Sequence, residues 1–278
     1  MPGDPRPIGV FDSGMGGLTV LKALAARLPH ERFVYLGDTA RLPYGTKSAE
    51  TVQAYALQAS QLLLGENVKM LVIACNTASA VALHSLQEAF TPLPVIGVIE
   101  PGARAGVAAT SNRRIAVIAT EGTVRGGAYA RAIQRLMRDA EVVQQPCQVF
   151  VALAEEGWTD SPATRTAAEH YLAKLFHAPT SPDTLVLGCT HFPVLAGAIR
   201  AVIGPEVALV DSAETTAGAV AEALHAYGLA SEPGARNEGG LQFFATDSPE
   251  RFARVGAIFL GRAIDPASVK LVDLRAFA

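Results

Sequence analysis

Short runs of β-branched and aliphatic residues alternate along the chain with longer segments rich in alanine and leucine. The short runs are typical of strands and the longer segments of helices. Their regular alternation predicts an α/β protein, in which helices connect the strands of mostly parallel sheets. Strands are predicted at residues 8–11, 33–36, 70–74, 95–98, 115–119, 184–188 and 208–210. Helices are predicted at residues 17–28, 48–66, 77–90, 126–139, 161–177, 194–202, 215–227 and 249–259.

Two pairs of segments repeat in the same order along the chain. Residues 8–14 resemble residues 115–122, and residues 70–77 resemble residues 184–191. In the second pair, each segment runs from a strand through a cysteine to a polar helix start. A repeat of this kind predicts two similar, pseudo-symmetric α/β domains.

Each predicted domain has one cysteine at the carboxyl end of a strand. The first domain is predicted to contain residues 1–98 and 211–278, with Cys75, and the second residues 99–210, with Cys189. Open parallel sheets bind ligands outside the carboxyl ends of their strands, so two such edges that face each other form a cleft. We therefore expect the active site between the domains.

Composition excludes several classes of protein. The chain has 278 residues, half of them apolar, and a net charge of −3, so it has no basic surplus for nucleic acid. No apolar run approaches the ~18 residues that a membrane helix requires. Residues 1–7 lack the apolar segment of a signal peptide, and we expect a cytoplasmic protein. Three cysteines do not make a disulfide framework, so they are expected to be free thiols.

The residues after two of the cysteines indicate helix starts. Cys75 is followed by Asn76 and Thr77, and Cys189 by Thr190 and His191. A helix N-terminus stabilises a thiolate, which predicts a lowered pKa and a base near neutral pH at each sulfur. The alternative for either cysteine is a small, inert, buried side chain. Cys147 has no such helix signature and is predicted to be structural.

Other polar side chains are candidates for the same site. Asp12 ends the first predicted strand and serves either the reaction or a helix N-cap. His191 is placed to exchange a proton near Cys189, or else faces solvent on a helix. Tyr44 and Gly45 lie in a predicted turn, where backbone N–H groups can meet a carboxylate.

Four blocks of the sequence resemble the signature blocks of glutamate racemases in order and spacing. They are Phe11-Asp-Ser-Gly-Met-Gly-Gly-Leu-Thr-Val, Gly37-Asp-Thr-Ala-Arg-Leu-Pro-Tyr-Gly-Thr-Lys-Ser, Ala74-Cys-Asn-Thr-Ala-Ser and Gly188-Cys-Thr-His-Phe-Pro. The resemblance covers most of the chain and weakens after about residue 213 and through residues 228–241.

This resemblance implies interconversion of L- and D-glutamate without a cofactor or metal, supply of D-glutamate for peptidoglycan, and a homodimer. It implies that Cys75 takes the α-proton from D-glutamate and Cys189 from L-glutamate, assisted by Asp12 and His191. Glu155 either pairs with His191, as in some family members, or lies on a solvated helix face. The implied substrate-binding residues are Asp12, Ser13, Tyr44, Gly45, Asn76, Thr77, Thr190 and His191.

The chemistry of inversion agrees with paired cysteines. Inverting a stereocentre requires removal of a proton from one face and delivery of another to the opposite face. Two acid/base groups must therefore flank the α-carbon.

Several alternatives remain open at this point. The glycines at residues 14–17 lack the spacing of a dinucleotide-binding turn. A pyridoxal-phosphate enzyme needs a Schiff-base lysine, for which Lys47 is the candidate near a recognised block. Cys75, Cys189 and His191 are also ligand types for zinc. Aspartate racemase is the nearest enzymatic alternative, and an amino-acid-binding or partner-inhibiting protein is the non-catalytic one, since some glutamate racemases bind DNA gyrase.

Overall fold

The chain folds into two parallel β-sheets flanked by helices, in a computed structural model that describes residues 3–178, 180–232 and 240–277. The strands are β1 (Ile8–Asp12), β2 (Phe33–Gly37), β3 (Met70–Ile73), β4 (Val95–Gly97), β5 (Arg114–Ala119), β6 (Glu141–Pro146), β7 (Thr184–Gly188), β8 (Ala208–Asp211), β9 (Leu241–Ala245) and β10 (Val269–Leu271).

Helices connect these strands and cover both sheets. They are α1 (Leu18–Arg27), α2 (Ala49–Gly65), α3 (Asn76–Ala89), α4 (Ile99–Ala109), α5 (Glu121–Gly126), α6 (Ala128–Leu136), α7 (Val149–Glu155), α8 (Pro162–Phe176), α9 (Ala196–Ile203), α10 (Ser212–Ala226) and α11 (Pro249–Leu260). Two single 3-10 turns matter for the site, at Tyr44–Thr46 and Phe192–Leu195.

The strand order shows the internal repeat. The first sheet has six strands in the order β10-β9-β2-β1-β3-β4, and the second has four in the order β6-β5-β7-β8. The segment β2-β1-β3-β4 therefore has the same order as the whole second sheet. All pairings between neighbouring strands are parallel, which confirms the predicted α/β class with two similar sheets.

The two sheets take their strands from different parts of the chain. The first sheet combines β1 to β4 with β9 and β10 from the end of the chain, and the second contains β5 to β8. Helix α10 packs against both α1 and α4 and so bridges the two parts of the molecule. Residues 1, 2, 233–239 and 278 of the predicted first domain lie outside the described residues.

Burial explains why the central strands read as apolar runs. All residues of β1, β2, β3 and β7 are buried, as expected for parallel strands covered on both faces. Alternate residues of β1 face different layers: Val10 joins the core shared with the second sheet, and Phe11 packs under α2 and α3. Within the described ranges, no helix is both long and apolar enough to cross a membrane.

Six elements are missing from the sequence prediction: β6, β9, β10, α4, α5 and α7. Helix α4 contains Pro101, Gly102 and Gly106, which lower its intrinsic helix propensity, and it is stabilised by packing against α6 and β7. The helix predicted at residues 126–139 corresponds to the shorter α6, which begins only after Gly127, because this glycine has a φ of 60° and separates α6 from the unpredicted α5.

Candidate active site

The carboxyl ends of the two sheets meet at one small cavity that contains both predicted base cysteines. Cys75 lies two residues beyond β3, and Cys189 directly follows β7. Both side chains are 5% exposed. They line a small cavity of about 30 Å³ and have little contact with bulk water.

The structure brings most of the predicted site residues to this cavity. Asp12 and Glu155 are the exceptions: Asp12 is close to Cys75, and Oε1 of Glu155 lies 3.2 Å from Nε2 of His191. Besides the two cysteines, the lining consists of Ser13, Pro43, Tyr44, Gly45, Asn76, Thr77, Thr120, Gln148, Val151, Thr190 and His191.

Cys75 occupies the N-cap position of α3. Its sulfur accepts a hydrogen bond from the N–H of Ala78 at 3.5 Å, and its thiol donates to Oγ of Ser13 at 3.5 Å. The sequence prediction of a lowered pKa is wrong for this thiol. Burial and the nearby Asp12 carboxylate raise the pKa of Cys75 to about 12, and the helix terminus and Ser13 only partly offset them.

Asp12 is the buried acid on the Cys75 side of the site. It ends β1 with 1% exposure, and its Oδ2 accepts a hydrogen bond from the N–H of Gly14 at 3.0 Å. Oδ1 has no hydrogen-bond partner in the described part of the chain. Burial raises the pKa of Asp12, against an opposing effect of His191 and nearby backbone N–H groups. The carboxyl group can therefore exchange a proton more readily than an exposed aspartate.

Cys189 lies beside a histidine instead of an acid. Its sulfur is 3.8 Å from Nδ1 of His191, and Nε2 of His191 is 3.2 Å from Oε1 of Glu155. Burial lowers the pKa of His191, but contacts with Cys189, Glu155 and Asp12 outweigh burial and raise this pKa to about 10. An imidazolium beside the sulfur stabilises negative charge that develops there.

Glu155 is the last residue of α7 and is turned toward His191, not into solvent. Its side chain is 15% exposed, and its Oε2 accepts a hydrogen bond from Nη2 of Arg251 at 2.7 Å. Burial raises the pKa of Glu155, but His191 and Arg251 outweigh it, so the pKa lies below its ordinary value. The solvated-face alternative for this residue does not agree with the geometry.

Hydroxyl and amide groups from both sheets form the polar wall of the cavity. Tyr129 donates to Oδ1 of Asn76 at 2.8 Å, whereas Nδ2 of Asn76 is buried and without a partner among the described residues. The hydroxyl of Thr77 lies 3.0 Å from that of Thr120 and 3.2 Å from that of Thr123. These groups are donors suited to a carboxylate.

The turn at Tyr44–Thr46 closes another side of the cavity. Tyr44 donates its hydroxyl to Asp38, and burial together with this carboxylate raises the pKa of Tyr44. A Cβ at Gly45 would lie 2.7 Å from the Cβ of Thr120 on the other sheet. Only glycine permits this approach of the two halves at the site.

The sequence prediction lacks four residues that line the cavity, Pro43, Thr120, Gln148 and Val151, and it also lacks Arg251, which donates to Glu155. Thr120 follows β5 and corresponds to Ser13 in the internal repeat, so that repeat is a signal that could have indicated it. Gln148 follows the unpredicted strand β6, and its Oε1 is buried without a partner in the described ranges. Val151 follows it on the unpredicted helix α7. Arg251 lies far away in sequence and carries no local signal.

Cys147 is not part of the cavity, and the described cavity residues do not form a metal site. Cys147 is buried beyond the end of β6, does not line the cavity, and directs its thiol toward the carbonyl of Gln145 at 3.6 Å. Among the described residues, no group of three or more His, Cys, Asp and Glu side chains assembles as a metal ligand set, including Cys75, Cys189 and His191.

Comparison with known proteins agrees with the geometry. The family model of Asp/Glu/Hydantoin racemases matches residues 16–220. A glutamate racemase of Geobacter metallireducens is 52% identical over 256 residues, covering 92% of this chain and 93% of the relative.

Solved structures give the same result. The glutamate racemase of Francisella tularensis, determined in complex with D-glutamate, has a TM-score of 0.90 at 37% identity and covers 98% of this chain and 99% of its own. That of Thermus thermophilus, in complex with β-chloro-D-alanine, has a TM-score of 0.85 at 46% identity, covering 98% of each chain. The match over most of the chain, in sequence and in structure, shows that the protein is an isomerase of the Asp/Glu/Hydantoin racemase family.

Proposed function

We propose that this protein interconverts L- and D-glutamate with two cysteine bases and no cofactor. The observation that carries the proposal is the pairing of Cys75 and Cys189 in one small cavity, each next to its own proton-exchanging side chain. Because the two sulfurs come from corresponding strands of the two sheets, they approach the cavity from different halves of the molecule.

The proton transfers balance without another reagent. One cysteine, as a thiolate, removes the α-proton and becomes a thiol, and the electron pair left on the α-carbon delocalises into the α-carboxylate. The other cysteine, as a thiol, delivers its proton to the opposite face and becomes a thiolate. The raised pKa of Cys75 favours its thiol form before substrate binds. Cys75 is therefore ready to donate a proton when the substrate is L-glutamate.

Asp12 and His191 assist these transfers on opposite sides. The buried carboxyl of Asp12 can hold or release a proton near Cys75, and the imidazolium of His191 faces Cys189. Fixed hydroxyls, backbone N–H groups and the imidazolium stabilise the negative charge of the transition state in a site with little water.

The polar wall suits an acidic amino acid. The donors for the two carboxylates are Nδ2 of Asn76, which has no partner among the described residues, the hydroxyls of Ser13, Thr77 and Thr190, and the N–H groups of Tyr44 and Gly45. An adjoining cavity of about 150 Å³ shares Thr77 and is lined by Lys47 and Arg125, whose charges attract a dianion. D-Glutamate in the Francisella relative supports the same substrate.

Polarimetry or circular dichroism of each glutamate enantiomer tests this proposal directly. Protein stripped of metal and free of pyridoxal phosphate is expected to racemise both enantiomers, with little activity on aspartate or alanine. Cys75→Ser and Cys189→Ser are expected to abolish racemisation, since an alcohol is far too weak a base to replace a thiolate near pH 7. Cys147→Ser is the matched control and should keep its activity. Faster turnover of aspartate would instead indicate an aspartate racemase.

Deuterated water distinguishes two bases from one. With two bases, each direction should place solvent deuterium in the product while the remaining substrate keeps its proton early in the reaction. Equal early entry of deuterium into substrate and product would contradict the two-base assignment.

The biological setting is part of the same proposal. A free-thiol site is consistent with a reducing compartment, and we infer that the protein acts in the cytoplasm, supplies D-glutamate for peptidoglycan and forms a homodimer without nucleic acid. Rescue of a bacterium that requires D-glutamate, by the wild type and not by Cys75→Ser, tests the supply role. Light scattering of the purified protein tests the dimer.

A further inference from the structure

Arg251 binds the carboxylate of Glu155, which in turn contacts His191 on one side of the cavity. It lies in the first turn of α11, where the N-cap Ser248 accepts a hydrogen bond from its backbone N–H. Its guanidinium donates to Oε2 of Glu155 at 2.7 Å, while its side chain stays 41% exposed. One end of this cation is therefore in water and the other is bound to a mostly buried carboxylate.

Both oxygens of Glu155 are occupied, by different partners. Oε2 receives Arg251, and Oε1 lies 3.2 Å from Nε2 of His191, whose Nδ1 is 3.8 Å from the sulfur of Cys189. An arginine stays charged throughout the accessible pH range, so it favours the ionised form of Glu155 at all times. A carboxylate held at both oxygens also has a fixed plane, which fixes the orientation of the imidazole ring.

The chain of contacts connects the two halves of the molecule and ends at only one sulfur. Helix α11 packs against α1 and β10 of the first half, whereas Glu155 and His191 belong to α7 and the segment after β7. Cys75 has a different environment, next to Ser13 and Asp12. An effect that passes through Arg251 should consequently act directly at Cys189, whereas it reaches Cys75 only indirectly, through the electrostatic interaction of His191 with Asp12.

We propose that Arg251 is a positioning residue for proton transfer at Cys189: it keeps Glu155 ionised and oriented, so that His191 presents its Nδ1 proton to the Cys189 sulfur. This role rests on the two-base function proposed above. It adds a residue from the first half of the molecule to the proton-transfer machinery of the second half.

Elimination from a chlorinated substrate separates the two sulfurs, because it needs only one base. From 3-chloroglutamate, a cysteine thiolate removes the α-proton, the C–Cl bond breaks and chloride leaves. The resulting enamine is hydrolysed to 2-oxoglutarate and ammonium. The analogue with L configuration at the α-carbon reports abstraction by Cys189, and the D analogue reports abstraction by Cys75.

The variants are Arg251→Gln, Arg251→Lys and the matched control Arg254→Gln. Arg254 lies on the same helix, is exposed, and makes no hydrogen bond or ion pair to another described residue. Thermal unfolding first establishes that each variant is folded. We expect Arg251→Gln to slow elimination from the L analogue about tenfold or more and to leave the D analogue within about twofold. Arg251→Lys should recover part of the loss, and Arg254→Gln should behave as wild type.

A double-mutant comparison tests the path through Glu155. Glu155→Gln should slow the same reaction, and the combination with Arg251→Gln should be no slower than Glu155→Gln alone, because both act through one carboxylate. No loss in Arg251→Gln, or equal loss with both analogues, would overturn the positioning role while leaving the two-base function intact. Elimination from the L analogue by Cys189→Ser at the wild-type rate would overturn the two-base function and the role of Arg251 together.

Discussion

The two cysteines are similar in sequence context but lie in opposite electrostatic surroundings. Burial and the nearby carboxyl group of Asp12 raise the pKa of Cys75, whereas Cys189 faces the imidazole of His191. The thiol form is thereby favoured at one sulfur, and negative charge can be stabilised at the other. Such an asymmetry suits a reaction in which one sulfur accepts a proton while the other donates one.

Removing either assisting group should slow the chemical step. We expect Asp12→Ala and His191→Ala to lower kcat on the order of 10²-fold or more, because positioned acid/base groups act mainly in the transition state. KM should change less. Steady-state kinetics with both glutamate enantiomers measure this, and a change confined to KM would make the two residues ordinary binding groups.

The raised pKa of His191 also predicts how folding stability depends on pH. Its pKa of about 10 in the folded protein lies above the ordinary value of 6.5, so the charged ring stabilises the folded state. This contribution is complete below pH 6.5 and declines as pH rises toward 10. The free energy of unfolding lost in His191→Gln should therefore be largest near pH 6.5 and smaller near pH 10. A loss that grows over this interval would contradict the assignment.

At the scale of elements, a loop of the first sheet packs closely against the strand end that carries the proposed acid/base residue His191. The segment between β1 and α1 passes so near the residues after β7 that a Cβ at Gly16 would lie 2.4 Å from Nδ1 of His191 and 2.5 Å from Oγ1 of Thr190. Thr19 also donates to the carbonyl of Thr190 at 3.0 Å. The position of His191 thus depends on the helix start of the other half.

Gly16→Ala should displace His191 and impair catalysis more than folding. We expect kcat for glutamate to fall about tenfold or more, since a small misplacement of a catalytic group is costly. Circular dichroism spectra should stay close to wild type. Gly197→Ala in α9 is the control: a Cβ there meets nothing within 4 Å. It should keep activity and gain about 0.5–1 kcal/mol of stability from helix propensity. Unchanged kcat in Gly16→Ala would refute this packing argument.

At the scale of the whole molecule, a buried salt bridge lies at the end of the first sheet opposite the cavity. Lys69 and Glu31 precede β3 and β2 and form a salt bridge of 2.6 Å, with side chains 0% and 4% exposed. Lys69 also donates to the carbonyl of Asp4, and Glu31 accepts from the N–H of Ser231. This buried pair ties distant chain segments to the amino ends of the strands, away from the cavity.

Breaking this pair should destabilise the fold without changing the chemistry. Lys69→Met leaves a buried carboxylate uncompensated and should cost about 3–5 kcal/mol in the free energy of unfolding. Urea denaturation measures this loss, and kcat of the folded fraction should remain near wild type. Adding Glu31→Gln should recover much of the stability. A double variant less stable than Lys69→Met alone would show that the uncompensated carboxylate of Glu31 is not the cause of the lost stability.

The fold was largely predictable because its information is local. Apolar strand runs and the repeated strand–cysteine segments predicted two parallel sheets, and helices such as α2 agree with their predicted range within a residue at each end. The pattern failed where packing overrides propensity, as in α4 with its proline and glycines. Strand β6 also escaped prediction, since its partly exposed residues do not form a buried apolar run.

The sequence by itself determined which side chains are able to exchange protons and that they follow the ends of strands. Both are properties of short sequence segments: the side-chain type and the apolar pattern of the preceding strand. Only the tertiary structure decided how those groups act on one another. It raised the pKa of Cys75 through burial and Asp12, against the effect of the helix terminus. It also linked Glu155 to both His191 and Arg251 across long stretches of chain. Burial and distance in space set these interactions, and neither is a property of neighbouring sequence positions.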